Sequence, residues 1–201
     1  NTFHRLCGAS TFSSVDTAGH TPLHSAIREE TNLEALRSLM EAFPAALNMK
    51  TIYGDTPLHL ACLRGLDCSV VAEVARASCA GLESSLVDSA NGPSPLLTRN
   101  RAGLTPVGIA MDEYRTLCST GRSTECSVNG RQSAAQLRAF EVLAALVKIL
   151  RYGPDCESGS LLSACLSVHR QPGARLDPAF IRRVLKLHPE EARVPDEDGN
   201  Y

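Results

Sequence analysis

The sequence predicts an all-α solenoid, a stack of antiparallel helix pairs joined by hairpin-like loops, and three observations carry that prediction. First, Gly19-His20-Thr21-Pro22-Leu23-His24-Ser25-Ala26 recurs as Gly54-Asp55-Thr56-Pro57-Leu58-His59-Leu60-Ala61 and is echoed as Gly103-Leu104-Thr105-Pro106-Val107-Gly108-Ile109-Ala110. Second, Thr21 to Thr56 spans 35 residues, a period at which one supersecondary unit stacks on copies of itself. Third, Pro44, Pro93 and Pro189 are each followed ten residues later by a glycine, Gly54, Gly103 and Gly199. The internal spacing of the unit therefore persists where the overall period stretches.

Each motif residue has a mechanical role. The glycine permits the positive φ of a tight turn. The threonine is a helix N-cap, its hydroxyl accepting from a free backbone N–H of the first helical turn. Proline then takes the first helical position, where a missing N–H costs nothing. Helices are thus predicted to start after Thr21, Thr56 and Thr105. Leu23 and Ala26 lie three apart on one face, leucine filling the core and alanine allowing close helix approach.

The units follow in order. In the first, Thr31-Asn32-Leu33-Glu34 reads as a Thr-x-x-Glu capping box, and Leu33, Leu36, Met40 and Phe43 trace one face of a second helix. Pro44 stops it, leaving 45–53 as an extended connection. The second unit repeats the plan, with Asp67 as cap and Val70, Val71 and Val74 as the buried stripe. Thr56 to Thr105 spans 49 residues, roughly 16 more than a period of about 33, and Cys79 to Gly92 is read as the insertion. In the third unit the helix from Pro106 gives way to a polar loop from Cys118 to about Gln132. Ser133-Ala134-Ala135-Gln136 is a further capping box, opening a helix to Arg151 with Leu137, Phe140, Leu143, Ala144, Val147 and Leu150 as its stripe. The fourth unit has lost the motif. If Ala164 takes the alanine's place, Gly159 stands where threonine would be and only Leu161 and Ala164 keep their type. Its second helix is clearer: Asp177 caps, Pro178 opens, and Ile181, Val184, Leu185 and His188 share a face. Residues 196–201 read as the turn of a fifth unit.

Composition places bounds on function. The 201 residues are 43% hydrophobic and 21% charged, an ordinary globular balance. A net charge of -2 and a pI of about 6.3 give no electrostatic footprint for nucleic acid or an anionic membrane. The longest apolar run, Val142 to Val147, is far short of the roughly 20 residues that cross a bilayer, and no signal-peptide pattern opens the chain. Its eight cysteines, at 7, 62, 68, 79, 118, 126, 156 and 165, form no CxxC pair. With the absence of Asn-x-Ser/Thr sequons this favours an intracellular, cytoplasmic setting with ordinary thiols, and Cys62 and Cys165 read as core residues.

These residues resemble the ankyrin repeat family, whose hallmark is Asp-x-x-Gly-x-Thr-Pro-Leu-His-x-Ala followed by a second helix and a hairpin loop. The first two units match closely, the third in part, the fourth in pattern alone. The resemblance implies an ankyrin repeat domain over 16–201, with repeats at about 16–50, 51–99, 100–153 and 154–195 and the start of a fifth at 196–201. Residues 1–15 form a partial or irregular N-terminal cap. It also implies that Thr21, Pro22, Leu23, His24, Thr56, Pro57, Leu58, His59, Thr105 and Pro106 are structural, the histidines anchoring neighbouring turns. Motif helices and hairpin tips line a groove that binds another protein. Carried over by position, the partner-facing residues are Thr17, Ala18, His20, Arg28 and Glu29; Ile52, Tyr53, Asp55, Leu63 and Arg64; and Arg101, Ala102, Leu104, Asp112 and Glu113. Two readings fit Ile52, Tyr53 and Leu63: a binding hot spot, or side chains packed along the hairpin and under the insertion.

Catalysis is not expected. His59 and Cys62 share a helical face, yet a Cys-His nucleophile also needs an orienting group and oxyanion donors, and no recurrent residues supply them. Cys118 and Cys126 lack two further ligands for zinc, and no phosphate loop, dinucleotide fingerprint or hydrolase elbow occurs. The expectation is a scaffold or adaptor without cofactor or metal, binding neither nucleic acid nor membrane, with no homo-oligomer implied. The alternatives are a targeting or regulatory segment of a larger enzyme or channel, and redox sensing through Cys118 and Cys126.

Overall fold

The computed structural model describes residues 15–83, 94–120, 133–155, 159–170 and 175–191. Among them are eight α-helices, two 3₁₀ turns and no strand, the all-α architecture of ankyrin repeats. The predicted cap over 1–14, most of the insertion at 84–93, the loop at 121–132 with Cys126, and the fifth turn at 196–201 lie outside the described residues. The chain divides into two compact units, Asn1–Pro106 and Val107–Tyr201, a division that falls just inside the third predicted repeat's first helix.

The first unit contains α1 (Pro22–Arg28), α2 (Leu33–Ala42), α3 (Pro57–Leu63) and α4 (Cys68–Glu83). Four-residue connections at 29–32 and 64–67 make each pair a tight αα-hairpin. Helix α1 packs on α2 and α3, and α3 on α4, closing a core of Leu23, Ile27, Leu36, Leu58, Ala61, Val71, Val74 and Ala75. Thr21 and Thr56 are the N-caps and Pro22 and Pro57 the first helical residues.

Several finer expectations are corrected. Asn32, not Thr31, caps α2: its Oδ1 accepts from the Ala35 N–H at 2.8 Å, so the helix begins one residue later. The connection after Pro44 is not extended throughout, because Pro44–Asn48 forms a 3₁₀ turn that buries Ala46 and Leu47. Leu33, Phe43 and Val70 are half-buried, while Val71, Ala72, Val74, Ala75 and Ser78 cover α4's inner side. The stretch read as the start of an insertion continues α4 to Glu83. Just before that stretch, Ser78 Oγ donates back to the Val74 carbonyl at 2.7 Å within the helix.

Helices α1 and α3 end alike. The Glu30 and Gly65 N–H groups donate to the Ile27 and Cys62 carbonyls, and Thr31 and Leu66 N–H to those of Ala26 and Ala61, the Schellman pattern that needs a left-handed residue just past the cap. Gly65 supplies it freely at φ 60°, whereas Glu30 is held at φ 54°. Glu30→Gly is therefore expected to raise stability by ~1 kcal/mol, read as a shift in the urea midpoint. An unchanged midpoint would show that position 30 is not strained.

In the second unit are α5, whose full span is Pro106–Thr120, α6 (Ala134–Tyr152), α7 (Leu161–His169) and α8 (Pro178–Leu187). Cys118, Ser119 and Thr120 are helical, not loop: the Thr116 and Ser119 hydroxyls donate to the carbonyls four residues back, those of Asp112 and Arg115, both at 2.8 Å. Ser133 and Gln136 form the predicted capping box. The buried side of α6 is broader than one stripe, comprising Ala139, Phe140, Val142, Leu143, Leu146, Val147 and Ile149. Leu137 is exposed, and Ala144 and Leu150 are half-buried. Contacts on more than one side cause this, because α7 packs along α6 while Tyr114, Phe140 and Phe180 interlock with ring centroids 5.2 to 6.3 Å apart.

The fourth repeat's register is one residue later than the motif alignment gave. Ser160 is the N-cap, accepting from Ser163 N–H, so Cys165 rather than Ala164 takes the motif alanine's slot. Both are fully buried, and burial pushes the Cys165 thiol up to about 12. Glu191 reinforces the cap, its Oε2 accepting from Leu162 N–H at 2.8 Å and Ser160 Oγ–H at 2.9 Å. Asp177 caps α8 as expected. Its buried face is Phe180 and Val184, with Ile181 and His188 half-buried and Leu185 exposed, because Phe180 rather than Leu185 is the residue taken into the aromatic cluster.

Candidate binding surface

Three stacked turns in the first unit present most of the candidate residues. Asp16, Thr51 and Asn100 each stand five residues before a motif threonine, and each accepts through a side-chain oxygen from the N–H four residues on. His20 N donates to Asp16 Oδ1 at 2.7 Å, Asp55 N to Thr51 Oγ1 at 3.2 Å, and Leu104 N to Asn100 Oδ1 at 2.9 Å. Main-chain bonds close the same rings: the N–H groups of Asp16, Thr51 and Asn100 donate to the carbonyls of His20, Asp55 and Leu104 at 3.0, 2.9 and 3.0 Å. Hydrogen bonds from the His20 N–H and ring hold the Asp16 carboxyl below its usual range.

The turns are then tied to one another. Ile52 N–H donates to the Ala18 carbonyl and Arg101 N–H to that of Tyr53, both at 3.0 Å. The motif histidines add a second tie from the helix side. In α1, Thr21 N–H donates to His24 Nδ1 at 3.2 Å and the Thr21 hydroxyl lies 2.8 Å from the same nitrogen. His24 Nε2 then donates across to the Asp55 carbonyl at 3.3 Å. His59 repeats this with Thr56 and reaches the Leu104 carbonyl at 3.2 Å. Two donors at Nδ1 and an acceptor at Nε2 fix the neutral imidazole, and burial, the largest influence, lowers both histidine pKa values. Each histidine thus stands where a capping box uses Glu or Gln while also joining one repeat to the next.

Against this frame the candidate residues separate. Ile52, Tyr53, Leu63 and Leu104 are 44%, 62%, 51% and 39% exposed, unusual for large apolar side chains. Thr17, Arg28, Glu29, Arg101 and Ala102 are exposed, while Ala18 and His20 are half-buried. Asp55 does not face solvent: it is only 9% exposed, and its Oδ1 accepts from Asn100 Nδ2 at 2.8 Å. It belongs to the scaffold because Thr51 and Asn100 leave its carboxylate between two turns. Arg64 is exposed but engaged, its Nη2 donating to the Arg28 carbonyl at 3.0 Å as a cap for α1 from the following repeat. Asp112 and Glu113 belong to the second unit. There Asp112 is exposed and pairs with Arg115 at 2.9 Å, whereas Glu113 is half-buried, and burial raises its carboxyl pKa. Thr105 is buried and Pro106 opens α5.

Two features had escaped the sequence reading. Asp16, Thr51 and Asn100 fill the hallmark's aspartate slot five residues before the motif threonine, and the side-chain acceptor role they share is hidden by three different residue types. Lys50 and Arg99, immediately before two of these positions, are both exposed, and Arg99 Nη1 donates to the Gly103 carbonyl at 2.9 Å.

Helix pairs opened by Thr-His capping boxes, with stacked turns bridged by the same histidines, define a repeat protein. A family model for ankyrin repeats (many copies) matches residues 9–61, covering the first repeat and the motif of the second, and that stretch is similar to ankyrin repeats. Repeats of this family are protein–protein interaction modules. A search of curated proteins returns no match. Among the described residues no helix is long and apolar enough to cross a membrane.

Proposed function

We propose that the chain is a protein-interaction scaffold or adaptor without chemistry of its own, and that its first unit binds a partner protein through the turn tips and the end of α3. The observation that carries this reading is the exposure of Ile52, Tyr53, Leu63 and Leu104 on a frame whose turns are fixed by side-chain and main-chain bonds. Large apolar groups held rigidly lose little conformational entropy on binding, which is the property of interface anchors. The absence of Asn-x-Ser/Thr sequons and of CxxC pairs from the sequence supports an intracellular, cytoplasmic setting.

The test is affinity capture from lysate with the intact chain and with a Tyr53→Ala, Leu63→Ala double variant. The variant is expected to lose the proteins that the parent retains, at unchanged helical circular dichroism. Glu41→Ala, an exposed change on α2, should retain them. An identical capture profile for the double variant would overturn the assignment.

A further inference from the structure

Resting on that reading, we infer that the partner segment is acidic as well as apolar: an extended stretch of protein chain whose Asp or Glu residues flank a large hydrophobic anchor. Residues 49–55 and 98–104, which form the second and third turns with the residues entering them, contain Lys50, Arg99 and Arg101 and one carboxylate, Asp55. All three cations are exposed, whereas Asp55 is buried and accepts from Asn100. The two turns therefore offer solvent three positive charges and no negative one, on a chain whose net charge is -2. The first turn differs, since residues 15–20 hold no Lys or Arg and its Asp16 is paired with His20 at 2.9 Å.

The cations share these turns with the exposed apolar residues Ile52, Tyr53 and Leu104. Arg101 N–H is bonded to the Tyr53 carbonyl, and its Cγ passes over Gly54, 3.3 Å from where a Cβ would stand. Leu104 closes the same turn that Arg99 braces. Exposed apolar side chains interleaved with cations attract a ligand that carries carboxylates beside an apolar anchor, the carboxylates steering encounter and fixing register while the anchor supplies burial. Three cations fall short of the six to ten phosphate contacts of a typical nucleic-acid site, and the central side chains are aliphatic as well as aromatic. A protein segment fits better than a polynucleotide.

A display library of random peptides, selected on the immobilised 201-residue chain, tests this. The enriched pool is expected to carry Asp or Glu beside Leu, Ile, Phe or Trp. The tightest peptide should weaken by about tenfold on the double reversal Lys50→Glu, Arg101→Glu, and on Tyr53→Ala, Leu104→Ala. Selection on the charge-reversed chain should enrich Lys and Arg instead. Peptides without acidic residues that still require Tyr53 and Leu104 would overturn this inference and leave the binding surface standing. Peptides indifferent to Tyr53 and Leu104 would overturn both. A pool with no enrichment would overturn the inference, the lysate capture then deciding on the surface itself. A poly-dT oligonucleotide bound as tightly as the best peptide would replace the acidic segment by a polyanion.

Discussion

His59→Ala is expected to lower stability by ~3 kcal/mol, because it strands the buried Thr56 N–H without its acceptor, removes one of the two donors to the Leu104 carbonyl and leaves a cavity in α3's first turn. Acid should act through the same bonds. His24 and His59 both have pKa values depressed below the ordinary 6.5, chiefly by burial. A proton on Nδ1 would face Thr21 or Thr56 N–H, a donor against a donor. The unfolded chain therefore takes up these protons first as pH falls below 6.5, and stability, fully present above that value, declines as pH drops toward the folded-state pKa values. Thermal unfolding followed at pH 7.5 and 5.5 should show a lower midpoint at the acid value. The double variant His24→Gln, His59→Gln should flatten that difference, and an equal drop in parent and variant would place the sensitivity elsewhere.

Much of the first unit was legible because its motif encodes local chemistry. Thr21 and Thr56 could be read as caps, Pro22 and Pro57 as first helical residues and His24 and His59 as ties, since each acts within a few residues or at one fixed step to the next turn. Boundaries failed where a polar side chain could serve either a loop or a helix. Ser119 looks like a loop residue in composition, yet its hydroxyl returns to the carbonyl four residues back, as those of Ser78 and Thr116 do, and the helix continues. Stripes failed where tertiary contacts came from more than one side, as around Phe140 and Phe180. The register of the fourth repeat failed because Ser160 with Glu191 builds a cap that no threonine announces.

The exposure of the candidate surface was legible at most of its positions, but its internal pairing was not. Exposure of Ile52, Tyr53 and Leu63 follows from their slots in the repeat. That Asp55 turns inward does not, because it depends on Asn100, which is 45 residues away in sequence. Arg64 is similar, its guanidinium spent on the Arg28 carbonyl of the preceding repeat. Once Asp55 is buried, the sign of the surface changes: the turn that reads as balanced in sequence is cationic in space.

Gly54→Ala should separate the two requirements of the turn stack, conformation and space. Gly54 and Gly103 have the same φ of 79°, so an added Cβ imposes a similar backbone strain of ~1 to 2 kcal/mol at either. The surroundings differ. A Cβ at Gly103 meets nothing within 4 Å, whereas at Gly54 it would lie 2.9 Å from Arg101 N and 3.3 Å from the Asn100 carbonyl carbon. Backbone cannot move aside as a flexible side chain would. The third turn must shift, weakening Arg101 N–H to Tyr53 O and Asn100 Nδ2 to Asp55 Oδ1 together. Gly54→Ala is therefore expected to cost ~3 kcal/mol, well beyond Gly103→Ala, as measured by urea unfolding of the two variants. It should also weaken partner capture under conditions where the chain stays folded, because the Arg101 N–H to Tyr53 carbonyl bond helps to position the third turn against Tyr53. Equal costs at the two glycines would mean that the turns are not held at this spacing, and the rigid frame on which the binding surface depends would have to be abandoned.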